Sequence, residues 1–182
     1  VHSEYSLLRG AIPCKQLATL AKNGGMNAIA LTDHNSMFGA VTHQLSCAKA
    51  DVGSIIGSLV SVVRPTSDKG DGPLNQILLL AENDIGYRNL LRIVSSANVS
   101  PAVEHRPSVR LETIAEGTEG LIALTSGMGG LFAQATLELG KDAGRDALVQ
   151  LKEMMPTGGL YVELQDHGFP EQPILNDISM EL

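Results

Sequence analysis

Short apolar runs alternate with stretches of helical spacing along this chain. NAIALTD (27–33), SIIGSLVSVV (54–63), NQILLLAEN (75–83), GLIALTS (120–126) and GLYVELQ (159–165) are near-continuous apolar runs of strand length. Bounded by turn residues, such runs read as buried strands. CKQLATLAKNGG (14–25) carries apolar residues at helical spacing, with Pro13 where a first turn accepts it and a Gly pair as the stop. SMFGAVTHQLSCAKAD (36–51) predicts a helix with Ser36 as its cap. Asp84 is placed to cap a helix over IGYRNLLRIVSSAN (85–98), and further helices are expected near 130–139, over 142–154 and from about Pro170. Segments 64–74 (RPTSDKGDGPL) and 98–109 (NVSPAVEHRPSV) are polar and rich in Pro or Gly, and read as loops.

Apolar strands separated by single helices predict an α/β fold with a parallel sheet and helices outside it. The number of such units fits a barrel better than a short open sheet. At 182 residues one domain over 1–182 is expected. In such barrels chemistry sits at the C-terminal ends of the strands. Here those ends carry Asp33-His34, Ser126-Gly127 and Gln165-Asp166-His167.

Composition narrows the function. A net charge of −7 argues against this stretch being a nucleic-acid surface by itself, and 3% aromatic residues leave little for base stacking. No apolar run reaches membrane-spanning length, so a soluble, cytoplasmic protein is expected. Cys14 and Cys47 form no CxxC pair and read as reduced, packed thiols. His43 reads as a packing or surface residue of a helix, and His105 as a solvated loop residue. The run Thr125–Gly130 (TSGMGG) reads as a tight strand-to-helix turn; it lacks the lysine of a phosphate-binding P-loop.

VHSEYSLL, ALTDHNSMFGA, IIG, LLLAENDIGYRNLLRIVS, EGLIALTSG and YVELQDHGFPEQ span nearly the whole chain. Together they resemble the PHP domain, in the version at the N-terminus of bacterial replicative DNA polymerase III alpha subunits. GYRNLL followed by EGLIAL and then ELQDHG is specific to that branch. The resemblance implies a distorted, TIM-barrel-like (β/α)7 barrel, incomplete here at both ends. It also implies an ancestral cluster of divalent metals, whose charge would lower the pKa of a bridging water and offset developing phosphoryl charge.

Residue by residue, the resemblance places His2 on the second imidazole of the first motif, and Asp33 and His34 on the second motif. The expected Asp of the first motif falls on Arg9, the Glu after the IIG strand on Leu59, the next His on Gln76, and the ligand after EGLIAL on Gly127. A guanidinium does not deprotonate and repels cations, and Leu59 has no lone pair. His2, Asp33 and His34 are therefore expected as a vestigial or weak metal set. Arg9 is a candidate partner for Asp33 or for another acidic group left without a metal, a cation in place of the lost metal charge. Asp166 and His167 belong to the family phrase without being ligand positions, so they read as structural, with a hydrogen bond to a metal ligand from behind as the other role open to them.

A catalytically inactive PHP domain is thus implied, stabilising a polymerase and docking a proofreading exonuclease. Its partners would be the other polymerase domains, the exonuclease and the replisome, with DNA reached through the parent protein. The domain itself is expected to carry no cofactor; zinc or manganese would serve a surviving site, and magnesium the parent polymerase, a DNA-directed nucleotidyltransferase. The alternatives are a metal-dependent phosphoesterase or 3′–5′ exonuclease with a reduced site, and a standalone phosphatase, against which GYRNLL and YVELQDHG speak.

Overall fold

The computed structural model describes residues 1–64 and 72–181. Most of the 64–74 loop segment therefore lies outside the described residues. Helix α1 (Cys14–Asn23) follows Pro13 and buries Cys14, Leu17, Ala18 and Ala21 on one stripe. The carboxylate of Glu4, ten residues upstream, accepts the first helical N–H, that of Cys14. Strand β1 (Ala28–His34) leads to helix α2 (Ala40–Ala50), then β2 (Gly53–Val63) and β3 (Leu74–Ala81). Helix α3 (Asp84–Val99), strand β4 (Val109–Arg110), helix α4 (Leu111–Ala115) and strand β5 (Leu121–Leu124) follow. After a 3₁₀ turn (Gly127–Gly129) come α5 (Leu131–Leu139), α6 (Lys141–Met154), β6 (Leu160–Tyr161) and α7 (Glu171–Glu181).

The strands form one sheet in the order β1-β2-β3-β5-β6. β4 pairs with the far end of β2, along the edge that β1 leaves at Leu59. The expected parallel sheet is corrected here to a mixed one. β1–β2 and β5–β6 are parallel, whereas β3 runs antiparallel to both β2 and β5. The cause is the length of the β2–β3 connection, which is too short for the crossover that parallel neighbours require. The sheet is open: among the described residues β1 and β6 each have a single neighbouring strand, so no barrel is closed.

Two expected caps move. Asn83, not Asp84, caps α3, its Oδ1 accepting from the N–H groups of Ile85 and Gly86 at 3.0 Å each. Ser36 sits before a turn, where its hydroxyl accepts from Phe38 N at 3.3 Å, and α2 begins only after Gly39. The 98–109 segment is less irregular than expected, ending in β4, which leads directly into α4.

The main core lies between the sheet and helices α3 to α6. Val60, Val62, Ile77, Leu79, Leu90, Ile93, Ile114, Leu121 and Leu131 are nearly inaccessible there. A smaller core of Cys14, Leu17 and Leu31 seats α1 against β1. Truncating one fully buried leucine such as Leu90 to alanine costs about 2–5 kcal/mol. Gly86 lets the start of α3 meet the turn before β5: a Cβ there would fall on the Gly120 carbonyl oxygen. Among the described residues no helix is long and apolar enough to cross a membrane.

Candidate functional site

The C-terminal end of β1 delivers two consecutive polar side chains to opposite surroundings. Asp33 is fully buried. Its Oδ1 accepts from Ser3 N (2.6 Å) and Ser6 Oγ (2.6 Å), and its Oδ2 from Ser3 Oγ (2.7 Å). The Ser6 hydroxyl accepts in turn from His34 N at 3.0 Å, and the Asp33 carbonyl accepts from Ser58 Oγ at 2.8 Å. A buried carboxylate held by this many donors is a structural tie, fastening the 3–6 loop to β1 and β2. The expected Arg9–Asp33 pair is corrected by this geometry: no ion pair joins them, Arg9 is exposed, and serine donors occupy both carboxylate oxygens.

His34 turns the other way, into a cavity of about 430 Å³. Its Nε2 lies 3.1 Å from Ser61 Oγ. Burial, and then the charges of Arg9 and His2, push its pKa down to about 4, so the ring is neutral near pH 7. Arg9 and Gln76 line the same cavity, as do Asn35, Ser61, Asn75, His105 and Arg106. Asn35, at φ 48°, anchors one wall: its Nδ2 donates to Ser61 Oγ (3.0 Å) and Pro107 O (3.1 Å), while its Oδ1 accepts from Ser61 N (2.8 Å). Asn98 adds a tie from α3, donating to Asn35 O at 2.9 Å.

Of the sequence-predicted residues, Arg9, His34 and Gln76 are brought together in this cavity. Leu59 is the register partner of His34 on β2 and is buried at 9% exposure. Gly127 lines a different, smaller cavity, where the space a side chain would take holds the Gln165 carboxamide. His2 is half-buried, and its Nδ1 is buried with no hydrogen-bond partner among the described residues. Asp166 and His167 are exposed and line neither cavity; the His167 N–H donates to Gln172 Oε1 at 2.7 Å. His43 is buried, with Nε2 at 3.1 Å from Ile29 O, and packs beside Cys47. His105 is exposed, as expected of a loop, but lies at the cavity wall, its Nε2 at 3.3 Å from Glu104 Oε1.

Sequence reasoning missed Ser3, Ser6, Asn35, Ser61, Asn75 and Arg106. The only local signal was position: Ser3 and Ser6 sit inside the first motif, and Asn35 directly after Asp33-His34.

The donor set does not suit a metal cluster. Among the described residues no group of three or more His, Cys, Asp and Glu side chains is placed to hold a metal. The Asp33 oxygens are committed to serine donors, Leu59 offers no lone pair, and Arg9 brings positive charge to the cavity. Among the described residues no Asp or Glu lines this cavity.

The PHP domain family model matches residues 1–167. The chain is 33% identical to the DNA polymerase III subunit alpha of Treponema pallidum, over its whole length and 16% of that protein. It is 38% identical to that of Caulobacter vibrioides over 94% of this chain and 15% of the relative. The chain thus spans about one-sixth of the curated relatives it matches. A solved structure described as a metal-dependent phosphoesterase, from Bifidobacterium adolescentis, superposes with a TM-score of 0.57. It covers 99% of this chain and 81% of its own at 14% identity, a likeness of fold.

Proposed function

The chain belongs to the PHP domain family, and from that premise we propose that it is the PHP portion of a bacterial replicative DNA polymerase alpha subunit, without phosphoesterase chemistry of its own. In this reading it stabilises the polymerase and docks a separate proofreading exonuclease. The parent protein carries out template-directed DNA synthesis in the cytoplasm with magnesium, at residues outside this chain. The observation that carries the reading is the content of the cavity at the end of β1: two guanidiniums, several carboxamides and the neutral imidazole of His34, with no carboxylate among the described residues. Such a lining neither concentrates divalent cations nor supplies a general base bound to a metal.

The test is a phosphoesterase assay on the full-length protein, with p-nitrophenyl phosphate and a 3′-phosphorylated oligonucleotide, in zinc or manganese. The variant His34→Ala runs beside the wild type, as does a polymerase-dead form. Turnover no greater than that of His34→Ala supports the reading. Metal-dependent turnover lost in His34→Ala refutes it.

One observation favours the second reading, a reduced metal site. The buried Nδ1 of His2 has no partner among the described residues, and a metal would satisfy it. Under that reading His2 and His34 are the ligands, with the rest of the set outside this chain.

A further inference from the structure

The smaller cavity lies where helix α7 meets the end of β5 and the turn carrying Gly127. Two carboxamides tie α7 to the 163–169 segment. Asn176 exchanges two hydrogen bonds with the Gln165 backbone: Gln165 N donates to its Oδ1 at 3.3 Å, and its Nδ2 donates to Gln165 O at 2.9 Å. Gln172, at 3% exposure, accepts through Oε1 from His167 N at 2.7 Å and from Phe169 N at 3.3 Å. Those two donors fix which end of the carboxamide is oxygen. Its Nε2 is left buried with no hydrogen-bond partner among the described residues. Buried polar groups are nearly always bonded, so this N–H calls for a partner.

Gln172 lines this cavity, which has a volume of about 20 Å³. One water needs about 10–15 Å³, so the space takes one and not two. Phe132 and Leu175 supply apolar wall, and Thr125, Glu163 and Ser179 are polar residues of the same lining. Their unused hydrogen-bonding capacity is complementary. Gln165 Nε2 donates to Glu163 Oε1, which leaves Oε2 as an acceptor. Ser179 Oγ donates to Leu175 O at 2.7 Å and keeps a lone pair with which to accept. Thr125 Oγ1 accepts from Glu163 N at 3.0 Å and keeps its proton to give. This set selects the ligand. A cation is repelled by the Gln172 N–H, and an anion by the Glu163 carboxylate. A neutral group of one heavy atom that accepts twice and donates twice matches it.

We propose that this cavity is the site of one internal water, accepting from Gln172 Nε2 and Thr125 Oγ1 and donating to Glu163 and Ser179, and that this water locks α7 onto the end of β5. Through Glu163 the lock reaches Gln165, whose carboxamide fills the space a side chain at Gly127 would take. The water thus helps hold shut the position at which the family resemblance expects a metal ligand.

The experiment is a double-variant cycle on the full-length protein, read by native-state hydrogen exchange at the α7 amides. Ala133→Val fills the cavity from α5, and Gln172→Met removes the N–H at similar size. In the wild-type background the valine displaces the water and strands the Gln172 N–H, so α7 protection is expected to fall by about tenfold. In the Gln172→Met background the valine fills space with no donor to strand, and protection is expected to hold or rise. A steric cost of the valine enters both backgrounds and cancels in the cycle. An equal effect of Ala133→Val in both backgrounds overturns the proposal. So does a gain in protection from Ala133→Val alone, which is how a dry cavity behaves. Gln172→Met also gives up the two bonds to Oε1, so a second measurement stands apart from the variants. A crystal structure of the wild-type full-length protein that resolves ordered water should show a single peak within hydrogen-bond distance of Gln172 Nε2 and Glu163. A cavity without such a peak, or a Gln172 Nε2 bonded directly to a protein oxygen, overturns the proposal.

Discussion

Replacing Asp33 separates a structural carboxylate from a metal ligand. Its two oxygens accept three hydrogen bonds, from Ser3 N, Ser3 Oγ and Ser6 Oγ, all between 2.6 and 2.7 Å. Hydrogen bonds to a charged acceptor contribute about 1.5–3 kcal/mol each, and their plain sum overstates the effect. Removing the carboxylate also relieves the cost of keeping it out of water, and the Ser6 hydroxyl keeps its bond from His34 N. Asp33→Ala is therefore expected to lose about 3–5 kcal/mol of local stability, the usual range when one partner of a buried charged network is deleted. Asp33→Asn keeps one acceptor for Ser3 N and presents an NH₂ to the hydroxyls, so about 1–2 kcal/mol is expected. Native-state hydrogen exchange on the full-length protein reads this at the amides of Ser3 and β1. At 1.4 kcal/mol per decade, Asp33→Ala should lower their protection by about two to three and a half decades, and Asp33→Asn by about one. A loss below about 1 kcal/mol for Asp33→Ala refutes the tie. So does a loss that appears only when zinc or manganese is present, because the carboxylate would then be a ligand.

Gly86→Ala places a Cβ on the Gly120 carbonyl oxygen, so a loss of about 3 kcal/mol or more is expected in urea unfolding, and a loss under about 1 kcal/mol would show that α3 and the turn can part freely. His43 is buried, and burial, opposed by its bond to Ile29 O, lowers its pKa below the ordinary value of 6.5. Between that lowered value and 6.5 the unfolded chain binds the extra proton. The stability contributed by neutral His43 is therefore full above about pH 6.5 and is lost as pH falls below it. Urea midpoints taken from pH 5 to 7.5 should decline toward acid less steeply in His43→Gln than in the wild type; equal slopes contradict the assignment. Burial, and then Glu4, Asp33 and Cys47, push the Cys14 thiol up to about 11. Iodoacetamide at pH 8 should leave Cys14 unmodified in the native protein and alkylate it after denaturation, and rapid native labelling would contradict its burial.

Periodicity made the elements legible and left their pairing partly hidden. The runs 27–33, 54–63 and 75–83 became β1, β2 and β3 because apolar runs of that length bury well as strands. Their alternation with helices pointed to a parallel sheet, yet β3 is antiparallel to β2, since the connection between them is too short for a crossover, and antiparallel to β5 as well. Strand direction depends on connection length, and the polarity of 64–74 carries no information on its reach. β4 was missed because two residues, Val109 and Arg110, carry no period. At the site, Arg9, His34 and Gln76 met in one cavity from three separate segments. The partner chosen for Asp33 was wrong for a physical reason. A charge argument favours an arginine, but neutral hydroxyls two and five residues after Val1, at Ser3 and Ser6, reach a fully buried carboxylate without bringing a second ion out of water. The wholly basic charge of the cavity arises from a loop, at Arg106, that meets Arg9 only in the fold.

Elemental analysis of the full-length protein, after incubation with zinc and manganese and removal of free metal by gel filtration, tests the account most directly. The wild type and a His2→Ala/His34→Ala double variant should retain the same substoichiometric amount of either metal. Retention of two or more ions per chain by the wild type, lost in the double variant, would contradict it and show that a metal centre survives around Arg9, Leu59 and Gln76.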